Sequence, residues 1–343
     1  MSALPKSGPA RRVPGSRPDG AGGRARGLRR GRRAATGAAL LTLALTASGC
    51  VTVHGEDAFV PTATRAEAAR ALKEFTGAYN AAARALDPAL DEDVLAGPFG
   101  AITQDGLRSR RAGHPGGAPE AVPLEVSDVR YLIPRQRGWP RWFVADTDTN
   151  RDRDGVAGQD TRWFFVFTRS GPEAAWRATY LSILTPDEIP ALREDGAGHP
   201  VPAPPGDLSA RYVQYLKDGR GGRFAPGQHT TRWRADREKA ANRPGWTTQY
   251  ADEAAAGGAY RPWALRTKDG GRLVFFASRH YERRTAAPGV RITLPTGVKP
   301  LLKGAVKRSY TLEYTSNEAV VVPKSGPAVF LNRLQGVTGA QGG

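Results

Sequence analysis

The chain of 343 residues contains one cysteine, one methionine and five histidines. A single thiol excludes any internal disulfide and any paired-cysteine metal site. The histidines, His54, His114, His199, His229 and His280, are scattered, and none makes the HxxxH or HExxH spacing that puts two imidazoles on one helical face. Residues 50–343 also lack GxSxG, SxxK, GxxxxGK[ST] and GxGxxG, so neither an activated nucleophile nor a phosphate-cradling loop is signalled. No apolar run reaches the roughly 20 residues a membrane-spanning helix needs.

What is present first is an address. The stretch "GLRRGRRAATGAALLTLALTASGC" sets Arg29, Arg30, Arg32 and Arg33 before an apolar run from Ala34 to Ala47, followed by Ser48, Gly49 and Cys50. A basic region, a short apolar core and small residues make an export signal. Its closing cysteine resembles the lipobox of bacterial lipoproteins, with Ala47 where leucine is usual. The resemblance implies a signal peptide over 1–49 that is removed, a diacylglycerol-type lipid on Cys50, a tether over 50–63, and a position at the outer face of the cytoplasmic membrane. The arginine pairs leave the export route, general or twin-arginine, open.

The formal net charge of +17 is unevenly spread. Residues 1–49 hold +9 of it; 50–206 carry 17 basic and 22 acidic residues, and 220–308 carry 19 basic and 6 acidic. Such asymmetry concerns surfaces and partners, not fold. Length favours two domains. The stretch "EDGAGHPVPAPPGD" has four prolines and little to bury, which reads as a semi-rigid linker over 194–206. The expected division is a first α+β domain over 64–193, a second, basic one over 207–336, and a flexible tail over 337–343.

Thr64 and Glu67 have the spacing of a capping box. A helix follows, because Ala68, Leu72, Phe75, Tyr79, Ala82 and Leu86 recur on one face until Pro88. "EVSDVRYLIP", "WPRWFVADT", "TRWFFVFTR" and "AWRATYLSIL" read as four antiparallel strands. In the second half, "LSARYVQYL" reads as a helix between Asp207 and Gly219. Two hairpins follow a long basic insert, turning at Asp269-Gly270-Gly271 and at Ser316-Asn317. The fold class is therefore α+β: two domains, each a helix on a curved antiparallel sheet. That plan resembles the nuclear transport factor 2-like and cystatin-like cone folds. With the lipobox and the high Arg, Ala and Gly usage, the chain resembles secreted lipoproteins of streptomycetes and their relatives, a resemblance that carries no catalytic residue to any position here.

Candidate site residues are few. In "DTDTNRDRDGVAGQD", Asn150, Asp152, Asp154 and Asp160 partly match a calcium loop, but Thr161 stands at the twelfth position and Arg151 and Arg153 intrude, so a polar hairpin turn is the expected reading and no cofactor is assigned. Trp142, Trp163, Trp176 and Trp263 fall in strands and suit core packing, whereas Trp139 and Trp246 adjoin turns. His280 reads as an ordinary strand histidine, since its neighbours Tyr281 and Glu282 cannot all share its face. Arg220, Arg223, Arg232, Arg234, Arg237, Arg283, Arg284, Lys303, Lys307 and Arg308 form the candidate surface for anionic lipid or a cell-wall polymer. Nucleic acid is not an expected partner of an exported, anchored chain. The functional expectation is a non-enzymatic binding or scaffold module of the envelope, with a ligand-binding or hydrolytic pocket as the alternative.

Overall fold

The computed structural model describes residues 58–343 apart from 157, 221 and 222; the expected signal peptide and Cys50 lie outside the described residues. In chain order the elements are β1 (Val60–Pro61), α1 (Arg65–Ala85), α2 (Gly97–Arg111), β2 (Val126–Leu132), β3 (Arg135–Gln136), β4 (Arg141–Thr149), β5 (Arg162–Arg169) and β6 (Arg177–Leu184). Then come α3 (Leu208–Asp218), α4 (Trp233–Ala241), β7 (Asn242–Arg243), β8 (Trp246–Ala255), β9 (Trp263–Arg266), β10 (Arg272–Ala286), β11 (Leu302–Lys303), β12 (Ser309–Val322) and β13 (Val329–Gly342). The capping box forms: the Thr64 hydroxyl accepts the Glu67 N–H at 3.1 Å and the Glu67 carboxylate accepts the Thr64 N–H at 2.7 Å.

β2-β4-β5-β6 make one antiparallel sheet. A second runs β11-β13-β12-β10-β8-β7, with β9 also on β10, and β1 pairs with β3. Alternation along the strands explains how these curved sheets stack. In β4, Phe143 faces α1, where it joins Leu72, Phe75, Phe165 and Phe167. Trp142 and Val144 point the other way, onto Leu265, Leu273 and Phe275 of the second sheet. In β10 the same rule sends Leu273 and Phe275 toward the first sheet and Val274 and Phe276 toward Tyr212 and Leu216 of α3. The layers are therefore helix, sheet, sheet, helix. Trp142 stacks on Trp263 with ring centroids 5.0 Å apart, and the Asn317 amide oxygen accepts the Leu181 N–H at 2.9 Å across the layers.

Several expectations need correction. The two halves do each supply a sheet, but those sheets share a buried core, and the described residues belong to one compact unit. The stretch 194–206 is not a free linker. It lies beside β9, with the Arg266 N–H donating to the Val201 carbonyl at 2.8 Å and the Ala203 N–H to the Ala264 carbonyl at 2.9 Å. Its few side-chain contacts had concealed these backbone bonds. Ser316-Asn317 is no turn, because β12 runs straight through it with both residues buried. The hairpin turns after Val322 instead. The expected tail is the end of β13, and part of the tether is β1.

Phe275→Ala removes a fully buried ring from the shared core and should cost about 3–5 kcal/mol. In urea, tryptophan fluorescence and far-UV circular dichroism of the parent chain should trace one transition. Two separate transitions would show that the sheets fold independently.

Candidate binding site and the buried charge network

The far end of the second sheet carries polar side chains on the face that α3 and α4 cover. Cross-strand register makes rows of them: Asp252, His280 and Tyr314 in one, and Glu318 opposite Arg333 in another. Glu318 is 1 % exposed. Its Oε1 accepts from the Ser278 and Ser316 hydroxyls at 2.7 and 2.8 Å and lies 3.6 Å from Arg333 Nε, while its Oε2 has no partner. α4 closes the cluster with Trp233 and Arg237, four residues apart and so on one helical face. Arg237 forms a bidentate pair with Asp252, both contacts at 2.8 Å. The Trp233 ring lies under two guanidinium groups, Arg333 at 4.3 Å and Arg237 at 5.0 Å. Arg333 Nη2 donates to His280 Nδ1 at 3.3 Å, which leaves the His280 proton on Nε2.

Burial pushes the Glu318 carboxyl up to about 7, with the Arg333 charge and the two serine hydroxyls acting against it. Burial, followed by the charges of Arg333 and Arg237, takes the His280 imidazole down to about 2. Both are perturbed as groups in acid–base catalysis are, but both are sealed within the fold.

The structure redistributes the sequence candidates. Asp152 and Asp154 meet Asp148, not Asn150, with one oxygen of each within 4.8 Å of the others. Asn150 turns away to bond Glu125 and Pro123. Asp160 accepts from the Gly155 N–H and Asp152 from the Thr161 N–H, so the carboxylates serve the turn itself. Of the basic candidates, Arg237 is buried and paired, which removes it from any surface. Arg284 is 2.7 Å from Glu282, and Arg234 lies over the Tyr215 ring. Arg220, Arg223, Arg232, Arg283, Lys303, Lys307 and Arg308 are exposed.

A cavity of about 820 Å³ opens where β4 begins and β5 ends, against the 256–263 loop. Ala174, Ala175 and Ala259 give it slim walls, Trp263 also lines it, and Thr168, Ser170, Arg177 and Arg261 supply its polar groups. No signal in the sequence points to it. Its residues come from four separate stretches, and Arg177 and Arg261 flank strands without any motif.

The fold and this cavity define a class: an α+β protein of two stacked antiparallel sheets, whose open site offers cations and alkyl walls and whose Glu318 and His280 are sealed elsewhere. Residues 59–342 match the family described as Domain of unknown function (DUF8094), and the chain belongs to that family. It is 47% identical over 331 residues to an uncharacterized lipoprotein of Streptomyces coelicolor, covering 92% of this chain and 98% of that relative. It is 43% identical over 333 residues to an uncharacterized lipoprotein of Streptomyces avermitilis, covering 93% and 98%.

The charge network makes stability depend on pH in two opposed ways. Folded Glu318 keeps a proton that the unfolded chain releases above about 4.5, so its contribution is full below that pH and is lost as pH rises to about 7. Folded His280 stays neutral, so its contribution is present above about 6.5 and is lost as pH falls toward 2. Between 4.5 and 6.5 the slopes oppose, each near 1.4 kcal/mol per pH unit. Glu318→Gln should therefore gain on the parent chain between pH 4.5 and 7, by about 3 kcal/mol in all. Parallel urea stabilities across that range would refute the assignment.

Proposed function

We propose that this protein is a lipid-anchored lipoprotein of the cell envelope, held through Cys50 at the outer face of the cytoplasmic membrane, and that it works as a non-enzymatic binding or scaffold module. Its two relatives are named as lipoproteins, and Cys50 ends the export signal in its sequence. No helix among the described residues is long and apolar enough to cross a membrane, so a lipid would supply the attachment. One acyl chain binds only marginally, and stable anchoring takes two signals. A diacylglycerol group meets that need.

The observation that supports binding over catalysis is the separation of this cavity from Glu318 and His280. A general acid or base must come within hydrogen-bond reach of its substrate. The 820 Å³ cavity has no histidine or carboxylate among the residues that line it. Glu318 and His280, whose proton affinities are far from ordinary, are 1 % and 4 % exposed and do not line it. What the cavity offers is charge and shape.

Cells expressing Cys50→Ala should lose the protein from the membrane fraction, and mass spectrometry of the parent chain should find a lipidated cysteine as its first residue. Unchanged membrane retention of the variant would overturn the anchor.

A further inference from the structure

Cys50 and Phe59 are nine residues apart, a span of at most about 30 Å when fully extended. Whatever surrounds Phe59 thus stays within reach of the surface that holds the anchor. Phe59 leads into β1, where Val60 pairs with Gln136 and Pro61 with Arg135. Gln136 Nε2 donates to the Pro140 carbonyl at 2.7 Å, and Pro140 is a wall of the 820 Å³ cavity. The chain therefore enters the fold at the end of the first sheet where the cavity opens.

That end has the side chains of an interfacial surface. Phe59 is 50% exposed, with the Arg135 guanidinium 5.0 Å from its ring. Arg141 and Arg169 lie 4.6 and 5.6 Å from the Trp139 ring. Aromatic rings and arginines with apolar stems suit the zone between acyl chains and water, where the ring is half buried and the charge stays wet.

Inside the cavity the cations are available. Arg261 lies over Trp263 at 5.0 Å and has no carboxylate partner among the described residues. Arg177 is 3.8 Å from Asp93, a residue whose own side chain is 92% exposed. A guanidinium fork matches phosphate oxygens, the hydroxyls of Thr168 and Ser170 can donate to them, and the alanine walls leave room for an alkyl stem. We propose that this end of the first sheet faces the membrane and that the cavity takes the phosphate headgroup of an anionic lipid, between Arg177 and Arg261. The proposal rests on the lipid-anchored reading, since the nine-residue reach is what brings the cavity to the bilayer.

The test uses residues 50–343 carrying Cys50→Ala, without the basic and apolar export signal, so that any vesicle binding comes from the folded protein's surface and not from an attached lipid or a leader. It should float with vesicles containing phosphatidylglycerol and not with phosphatidylcholine alone, and phosphatidylglycerol with brominated acyl chains should quench its tryptophan fluorescence. Adding Arg177→Ala and Arg261→Ala should weaken partitioning about thirty-fold, as two surface cations near anionic lipid would, with the melting temperature unchanged. Lysine at both positions should restore most of the binding, and Lys307→Ala with Arg308→Ala should leave it intact. Equal binding to both vesicle types, or loss with the Lys307 and Arg308 pair in place of the arginine pair, would overturn the proposal. A tryptophan response to millimolar inorganic phosphate without vesicle binding would reassign the cavity to free phosphate and overturn the lipid. Failure of the anchor itself is read separately, by membrane fractionation of the Cys50→Ala cells.

Discussion

The arrangement depends on one constraint: the central strands are buried on both faces. β4, β5 and β10 cannot each have a wet side, because α1 or α3 covers one face of their sheet and the other sheet covers the second. Burying an aromatic or branched side chain contributes on the order of 1.5–3 kcal/mol, and these strands present such residues at successive positions, as in "WFFVF". An antiparallel sheet with one solvated face reads as alternating apolar and polar residues. Here the continuous run requires a second layer. Stacked Trp142 and Trp263 fill the gap between the layers, and Asn317 spends its amide oxygen on the other sheet's backbone.

Away from that shared core the second sheet outgrows the first. β10 and β12 run for 15 and 14 residues, well past the strands that cover them, and the side chains beneath α4 become ionic. An uncompensated buried charge is destabilising by several kcal/mol, and the cluster meets that cost by division. Asp252 neutralises Arg237 with two bonds, Arg333 lies over the Trp233 ring, burial favours the proton on Glu318, and burial keeps His280 neutral. Trp233 occupies the middle, where both guanidinium groups find its π face. The result ties α4 to the sheet by geometry, since a bidentate arginine pair tolerates little rotation. A one-turn π segment, Gln228–Arg232, leads directly into that helix.

Local signals were legible in the sequence, and distant ones were not. The α1 cap, four strands of the first sheet, α3 and the Asp269-Gly270 turn follow from spacing and turn chemistry. α2 does not, because Gly97, Pro98, Gly100 and Gly106 give it a poor intrinsic preference. Its first glycine answers to tertiary structure: at φ 58°, a Cβ there would sit 2.5 Å from the Ala259 carbonyl oxygen. Ser316-Asn317 has the composition of a turn for the converse reason, since the partners that make polar residues tolerable in a strand centre include Ser278 and Leu181, both remote in sequence. Charge was legible as a total but not as a placement. Arg237 belongs to a basic run and is nonetheless an interior residue.

A helix, α4, seals the ionic cluster, and the geometry of the two sheets opens the cavity. Two twisted sheets in face-to-face contact diverge toward their ends, and at the end where β4 starts the space between them is bounded by the 256–263 loop instead of by a helix. Small residues keep that space open: a larger side chain at Ala174, Ala175 or Ala259 would fill it. The ionic cluster on the helix-covered face of the second sheet is thus closed by Trp233 and two arginines, whereas the cavity leaves Arg177 and Arg261 open. Since a cation without a buried partner must be solvated or matched, the open end is where this fold can meet an anion from outside.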